Sequence, residues 1–146
     1  MTYTLEAAQV DDSCVKHSYG DTADFFATTD CTGVARTLYS ADLDDGPVVV
    51  SVSRVRMKDA EAARDLQALT DRNGSGNISD LLREGVRYTG SPDGLSGAEY
   101  ASALSGSTVT IVESAWVDAD SKGSDTDIDK VASNALALQT PEIPAD

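Results

Sequence analysis

The sequence predicts an α+β domain, a two-layer sandwich in which helices pack on one face of a mainly antiparallel sheet. Three observations carry that expectation. A β-branched run, Val48 to Met57, leads directly into an amphipathic segment that Asp59 can cap. Two apolar stretches, Glu99 to Leu104 and Val109 to Val117, flank Ser105-Gly106-Ser107 and read as a β-hairpin. The strands are few, with helical patterns interleaved between them. The 146 residues, 40% hydrophobic and 25% charged, suit a single domain with one core. It is placed at residues 1–138, with an extended tail at 139–146.

In chain order, Thr2 to Ala8 reads as a short first strand, broken by Asp11-Asp12-Ser13. Gly20-Asp21-Thr22 opens a short helical turn carrying Phe25 and Phe26. Asp30 is read as the cap of a helix running to about Ser40, because Cys31, Val34, Ala35 and Leu38 recur at spacings of three and four. Asp42 to Pro47 is a turn-rich break. In the strand that follows, Val48, Val50 and Val52 lie on one face and Val55 and Met57 on the other, so a bulge near Ser53 is expected. The helix from Asp59 to about Leu69 buries Ala60, Ala62, Ala63, Leu66 and Leu69. A second helix capped by Ser79 is expected after it, although Ser96 to Glu99 also offers a capping box against the hairpin. In the hairpin, Val109, Ile111, Ala115 and Val117 share one face, opposite Val112 and Trp116. Asp118 to Asp125 is an acidic loop, and Asp125 is read as the cap of a last helix with Ile128, Val131, Ala132, Ala135 and Leu136 inward.

Lys and Arg total 11 against 25 Asp and Glu, a formal net charge of -14. Repulsion disfavours nucleic-acid backbones and anionic membrane surfaces as partners. No segment approaches the roughly 18 apolar residues of a spanning helix, so no direct membrane insertion is expected. The acids gather at Asp42 to Asp45, Asp71 to Asp80 and Asp118 to Asp129 and at helix starts, where capping and solvation are their commonest work.

Cys14 and Cys31 read first as a disulfide, which removes roughly 3 kcal/mol of unfolded-chain entropy and implies an oxidising compartment. A metal reading takes Cys14, His17 and Cys31 with a nearby Asp, but lacks the second close-spaced pair of zinc sites. A Cys-His nucleophile lacks an orienting third group. His17, the single histidine, then reads as a partly exposed loop residue.

Asp71 to Leu82 follows the start of an EF-hand loop, with Asp71, Asn73, Ser75 and Asn77 as oxygen ligands and Gly76 at the turn. Position 12 is Leu82 where a bidentate Glu is needed, and Glu84 comes two places late. A paired loop, Asp118-x-Asp120-x-Lys122-Gly123, puts a cation at the fifth ligand position. Calcium is thus a cofactor of the alternative reading, and a polar turn is the simpler one. Tyr19, Tyr39, Tyr88 and Trp116 are the aromatic residues considered for a ligand pocket. No phosphate loop, nucleophile elbow or zinc-protease motif occurs.

The runs Asp30 to Tyr39, Val48 to Val52, Gly74 to Asn77 and Val109 to Trp116 resemble, over roughly residues 14–138, the extracytoplasmic domains of uncharacterised actinobacterial membrane-anchored or secreted proteins. The resemblance implies display outside the membrane, through secretion or an anchor lying outside this chain, and supplies no mechanism. The expected function is a non-enzymatic extracytoplasmic domain that binds a protein or small-molecule ligand in the cell envelope. The alternatives are a calcium-binding module and an acidic inhibitor or immunity-type protein for a basic enzyme. A hydrolase would need Asp/Glu pairs brought together by the fold.

Overall fold

A computed structural model describes residues 1–118 and 123–145. Five strands, β1 (Thr4–Asp11), β2 (Gly33–Leu43), β3 (Gly46–Arg56), β4 (Glu99–Ser105) and β5 (Thr108–Trp116), form one sheet in the order β1-β2-β3-β5-β4, every pair antiparallel. Three α-helices accompany it: α1 (Gly20–Thr28), α2 (Ala60–Thr70) and α3 (Asp125–Ala135). This is the expected α+β class with an antiparallel sheet. The helices were expected on one face of the sheet, but they cover both. Helices α1 and α2 cover the face carrying Val34, Val55, Val109 and Ile111, while α3 covers the face carrying Val48, Val50, Val52 and Val112. A sheet whose inner strands are apolar on both sides needs cover on both.

The same fact corrects the expected helix at Asp30 to Ser40, which is β2. This strand runs through the middle of the core with Gly33 to Tyr39 buried without a break, so the alternation that marks a half-exposed strand is missing. Val34, Leu38 and Cys31 fit a helical stripe by coincidence of spacing. Val34, Thr37 and Tyr39 favour a pleated, packed surface, and the turn Asp44-Asp45 folds β2 straight back on β3. Asp30 is still a capping residue in effect: its carboxylate accepts from the backbone N–H groups of Cys14 and Cys31, at 2.9 and 2.8 Å.

There is no bulge at Ser53, which pairs in unbroken register with Arg36 and Ile111, since β3 is buried on both faces and needs no single apolar side. The register slip lies in β1, between Leu5 and Ala7. Helix α2 starts as expected, with the Asp59 side chain accepting from Ala62 N–H at 2.8 Å, and buries Ala62, Ala63 and Leu66. Ala60 is exposed and Leu69 half-buried. The expected second helix capped by Ser79 does not form. Asp80 caps a single turn through Arg83 N–H, Gly85 at φ +96 ends it, and Leu81 and Leu82 drop into the core beside Leu38 and Val49. The hairpin forms as read. The cap of α3 is Ser124, one residue before the expected Asp125, and Ile128, Val131, Ala132 and Ala135 are buried as expected. Of the acidic loop, residues 119–122 lie outside the described residues, and with them Asp120 and Lys122 of the paired calcium-type loop.

Candidate functional site

A polar stripe crosses the α1/α2 face of the sheet between two apolar clusters. The registers align Gln9, Arg36 and Ser53 in one row and Ser51, Glu113 and Tyr100 in the next. Val34, Val55 and Ile111 lie on one side of the stripe and Leu38, Val49 and Ala115 on the other. Residues 75–84 form a strap over it. Backbone bonds tie the strap to the segment before α1: Tyr19 N–H donates to Asn77 O, Thr22 N–H to Ser75 O and Ser79 N–H to His17 O. Gly76 permits that contact, since a Cβ there would stand 2.0 Å from the Tyr19 carbonyl oxygen.

At one end of the stripe Arg36 is fully buried and donates to Asp11 (2.9 Å), Glu84 (2.7 Å) and the Ser79 carbonyl (2.8 Å). His17 Nδ1 is 2.8 Å from Glu84 and its Nε2 is 3.6 Å from Asp11. Burial alone would raise the Asp11 pKa, but hydrogen bonds from Gln9 and Arg36 and the charges of His17 and Arg36 outweigh it and hold the carboxyl below its ordinary value. This network joins β1, β2, the 15–17 turn and the strap; both terminal nitrogens of Arg36 are spent within it, while its buried Nε has no partner among the described residues.

At the other end the stripe opens to solvent. Glu113 is the meeting point of two clefts. One, of about 470 Å³, is lined by Tyr19, Asp80, Arg83 and Leu95; the other, of about 400 Å³, by Tyr19, Asp71, Asn77 and Tyr100. Burial, and next the charge of Asp80, push the Glu113 carboxyl up to about 7, with Arg83 opposing. Asn77 donates to it only at 3.4 Å. The Arg83 guanidinium lies over the Tyr19 ring, 3.7 Å from its centre. Burial also raises the phenols of Tyr19 and Tyr100, and Tyr100 donates to Thr70 at 2.8 Å. The larger cleft is lined by the carboxyl groups of Glu113, Asp80 and Asp93 against the guanidinium of Arg83, which is stacked on Tyr19, and that excess of acid suits a positively charged group.

Of the four aromatic residues considered for a pocket, Tyr19 lines both clefts. Tyr39 and Trp116 are on the α3 face, where Tyr39 donates to the Gln139 carbonyl. Tyr88 packs beside Leu81 and Leu82. The four loop oxygens do not share one task. Asp71 accepts from Ser102 on β4, the Ser75 hydroxyl donates to the carbonyls of Leu69 and Arg72, and Asn77 accepts from its neighbour Ile78 N–H. Asn73 is exposed at the rim of the smaller cleft. Cys14 and Cys31 form the expected disulfide, S–S 2.01 Å, so neither sulfur is a thiolate for a metal or a nucleophile, and His17 turns to Glu84 instead. Sequence reasoning missed Glu113 and Arg83, and took Asp80 only as part of the acidic run Asp71 to Asp80. One signal was present: Glu113 interrupts the inward row Val109, Ile111, Ala115, a charge where the pattern calls for an apolar residue.

No family model, curated protein or solved structure matches this chain. Its disulfide is consistent with an extracellular location, and among the described residues no helix is long and apolar enough to cross a membrane.

Proposed function

We propose that the chain is a non-enzymatic, extracytoplasmic binding domain of the cell envelope, and that the cleft over Glu113 receives a positively charged group of its ligand. The observation that carries this reading is the position of Glu113, a carboxyl on the covered side of the sheet, close enough to Asp80 to feel its charge, at the base of an open cleft. The Asp80 carboxylate disfavours the charged form of Glu113. An ammonium or guanidinium placed beside Glu113 offsets that repulsion, and a site shielded from bulk water strengthens the attraction. The net charge of -14 draws a cationic ligand from a distance, and the disulfide supports the oxidising compartment.

The test is a titration of the whole chain with L-argininamide near neutral pH, followed by calorimetry and by the Tyr19 and Glu113 NMR signals. Saturable binding is expected, weakened by salt and lost in E113Q. Equal binding by E113Q, or Tyr19 signals that do not move at tens of millimolar ligand, removes the cleft as the site.

A further inference from the structure

The α3 face of the sheet is covered in two ways. Helix α3 packs on β3, β4 and β5, and beyond its end residues 136–143 cross β3 and β2. This crossing segment contains Pro141, and Pro144 follows it, so residues 136–145 lack two backbone N–H groups and are ill suited to pairing as a strand. The sheet holds it through its acceptors instead. Arg54 donates to Leu136 O (2.9 Å) and to Thr140 Oγ1 (3.2 Å), and Arg56 donates to Ile143 O (3.4 Å). Tyr39 Oη donates to Gln139 O. Three of these four contacts read main-chain carbonyls, whatever the side chains are.

Side-chain selection comes at one point. Ile143 Cγ2 occupies the space that Gly33 leaves open: a Cβ on Gly33 would stand 2.3 Å from it. Gly33 pairs with Arg56 across β2 and β3, so the slot for a branched side chain lies beside the guanidinium that takes that residue's carbonyl. A shallow, open depression of about 510 Å³ lies between this segment and Arg54, Arg56 and Thr108. In a chain of net charge -14, two arginines side by side on one strand also make a local site for an acidic peptide such as one carrying the equivalent of Glu142.

We propose that this face is a peptide-binding groove whose ligand is an extended, proline-containing acidic segment of a partner protein with a β-branched residue for the Gly33 slot. The chain's own residues 139–145 are the resident occupant that the partner displaces. The groove uses donors aimed at carbonyls and a shaped slot, which suits a proline-containing segment that cannot pair as a regular strand. A tethered occupant competes at an effective concentration of order millimolar, so the intact chain hides its own affinity. The inference is independent of the Glu113 cleft, which lies on the opposite face.

The experiment uses the full chain and a fluorescent peptide, Leu-Gln-Thr-Pro-Glu-Ile-Pro-Ala, read by anisotropy. I143A weakens the resident without touching the groove and is expected to bind the peptide at least about fivefold more tightly than the wild type. A peptide with Ala for Ile is expected to bind I143A at least about fivefold more weakly than the Ile peptide does. I143A/G33A, with the slot filled, is expected to lose the preference between the two peptides. Equal binding of the peptide by I143A and wild type, or equal binding of the two peptides by I143A, overturns the proposal. So does a wild-type dimer that forms with rising concentration and disappears in I143A, because the groove then belongs to a second copy's tail. Melting curves accompany each variant, and if I143A is unfolded, I143V carries the same comparison with a gain of about twofold.

Discussion

Replacing Glu113 by Gln should stabilise the protein at high pH and leave it nearly unchanged at low pH. The carboxyl rises from an ordinary 4.5 to about 7 because burial, and then Asp80, disfavour its charge. The folded state therefore holds a proton that the unfolded chain has already released between those two values. Below the unfolded value both states are protonated and nothing is lost. As pH rises from there, stability falls, and the loss is complete once the folded group is charged as well. At 1.36 kcal/mol for each tenfold difference, the charged carboxylate costs about 3 kcal/mol above neutral pH. Glutamine keeps the acceptor for Asn77 and removes the charge. For a chain of this size an unfolding entropy of about 0.3 kcal/mol per kelvin turns that energy into about 10 °C of melting temperature. The assay is a set of four thermal melts, wild type and E113Q, at about pH 8 and about pH 4. E113Q should melt about 10 °C higher than wild type at the upper pH and within about 2 °C at the lower. A difference between the two proteins that is the same at both pH values would refute the reasoning, since Glu113 would then not change its protonation on folding.

Two further perturbations follow from the fold. Removing the disulfide in C14A/C31A frees an unfolded chain constrained over a separation of 17 residues, and should cost about 3 kcal/mol and lower the melting temperature by about 10 °C in calorimetry; a loss under about 3 °C would show that the bridge does not constrain the unfolded chain. Substituting the fully buried Arg36 by Met strands Asp11, Glu84 and the Ser79 carbonyl, and should cost about 3–5 kcal/mol by urea unfolding at neutral pH. The loss should shrink as acid protonates the two carboxyl groups, and a pH-independent loss would assign Arg36 a packing role alone.

Residues missing from an expected pattern proved more telling than motifs. The EF-hand-like spacing of Asp71, Asn73, Ser75 and Asn77 drew attention by its fit, yet Ser75 points its hydroxyl at two carbonyls and Asn77 braces its own neighbour and Glu113. Glu113 drew none, though it stands on the inward row of β5 where a carboxyl is out of place. The influence of Asp80 on it was beyond reach, because the two come within electrostatic range only when the strap lies across the sheet.

Local chemistry by itself determined several elements. The β-branched run of β3, the Gly106 hairpin, the Asp59 cap and the stripe of α3 each satisfy their own rule within a dozen residues, and the cysteine pair limited its partners to each other. Tertiary structure decided the rest. Strand β2 became a strand because neighbours on both faces and both edges bury it, which erases the alternation that would have announced it. Arg36 and Glu113 became the two ends of one polar stripe because strand register, which no single segment encodes, set them in adjacent rows. Residues 136–143 found their seat because β2 and β3 place Gly33 beside Arg56. Short-range signals report the conformation a segment prefers, whereas burial on both sides and the meeting of distant charges depend on partners that only the folded chain supplies.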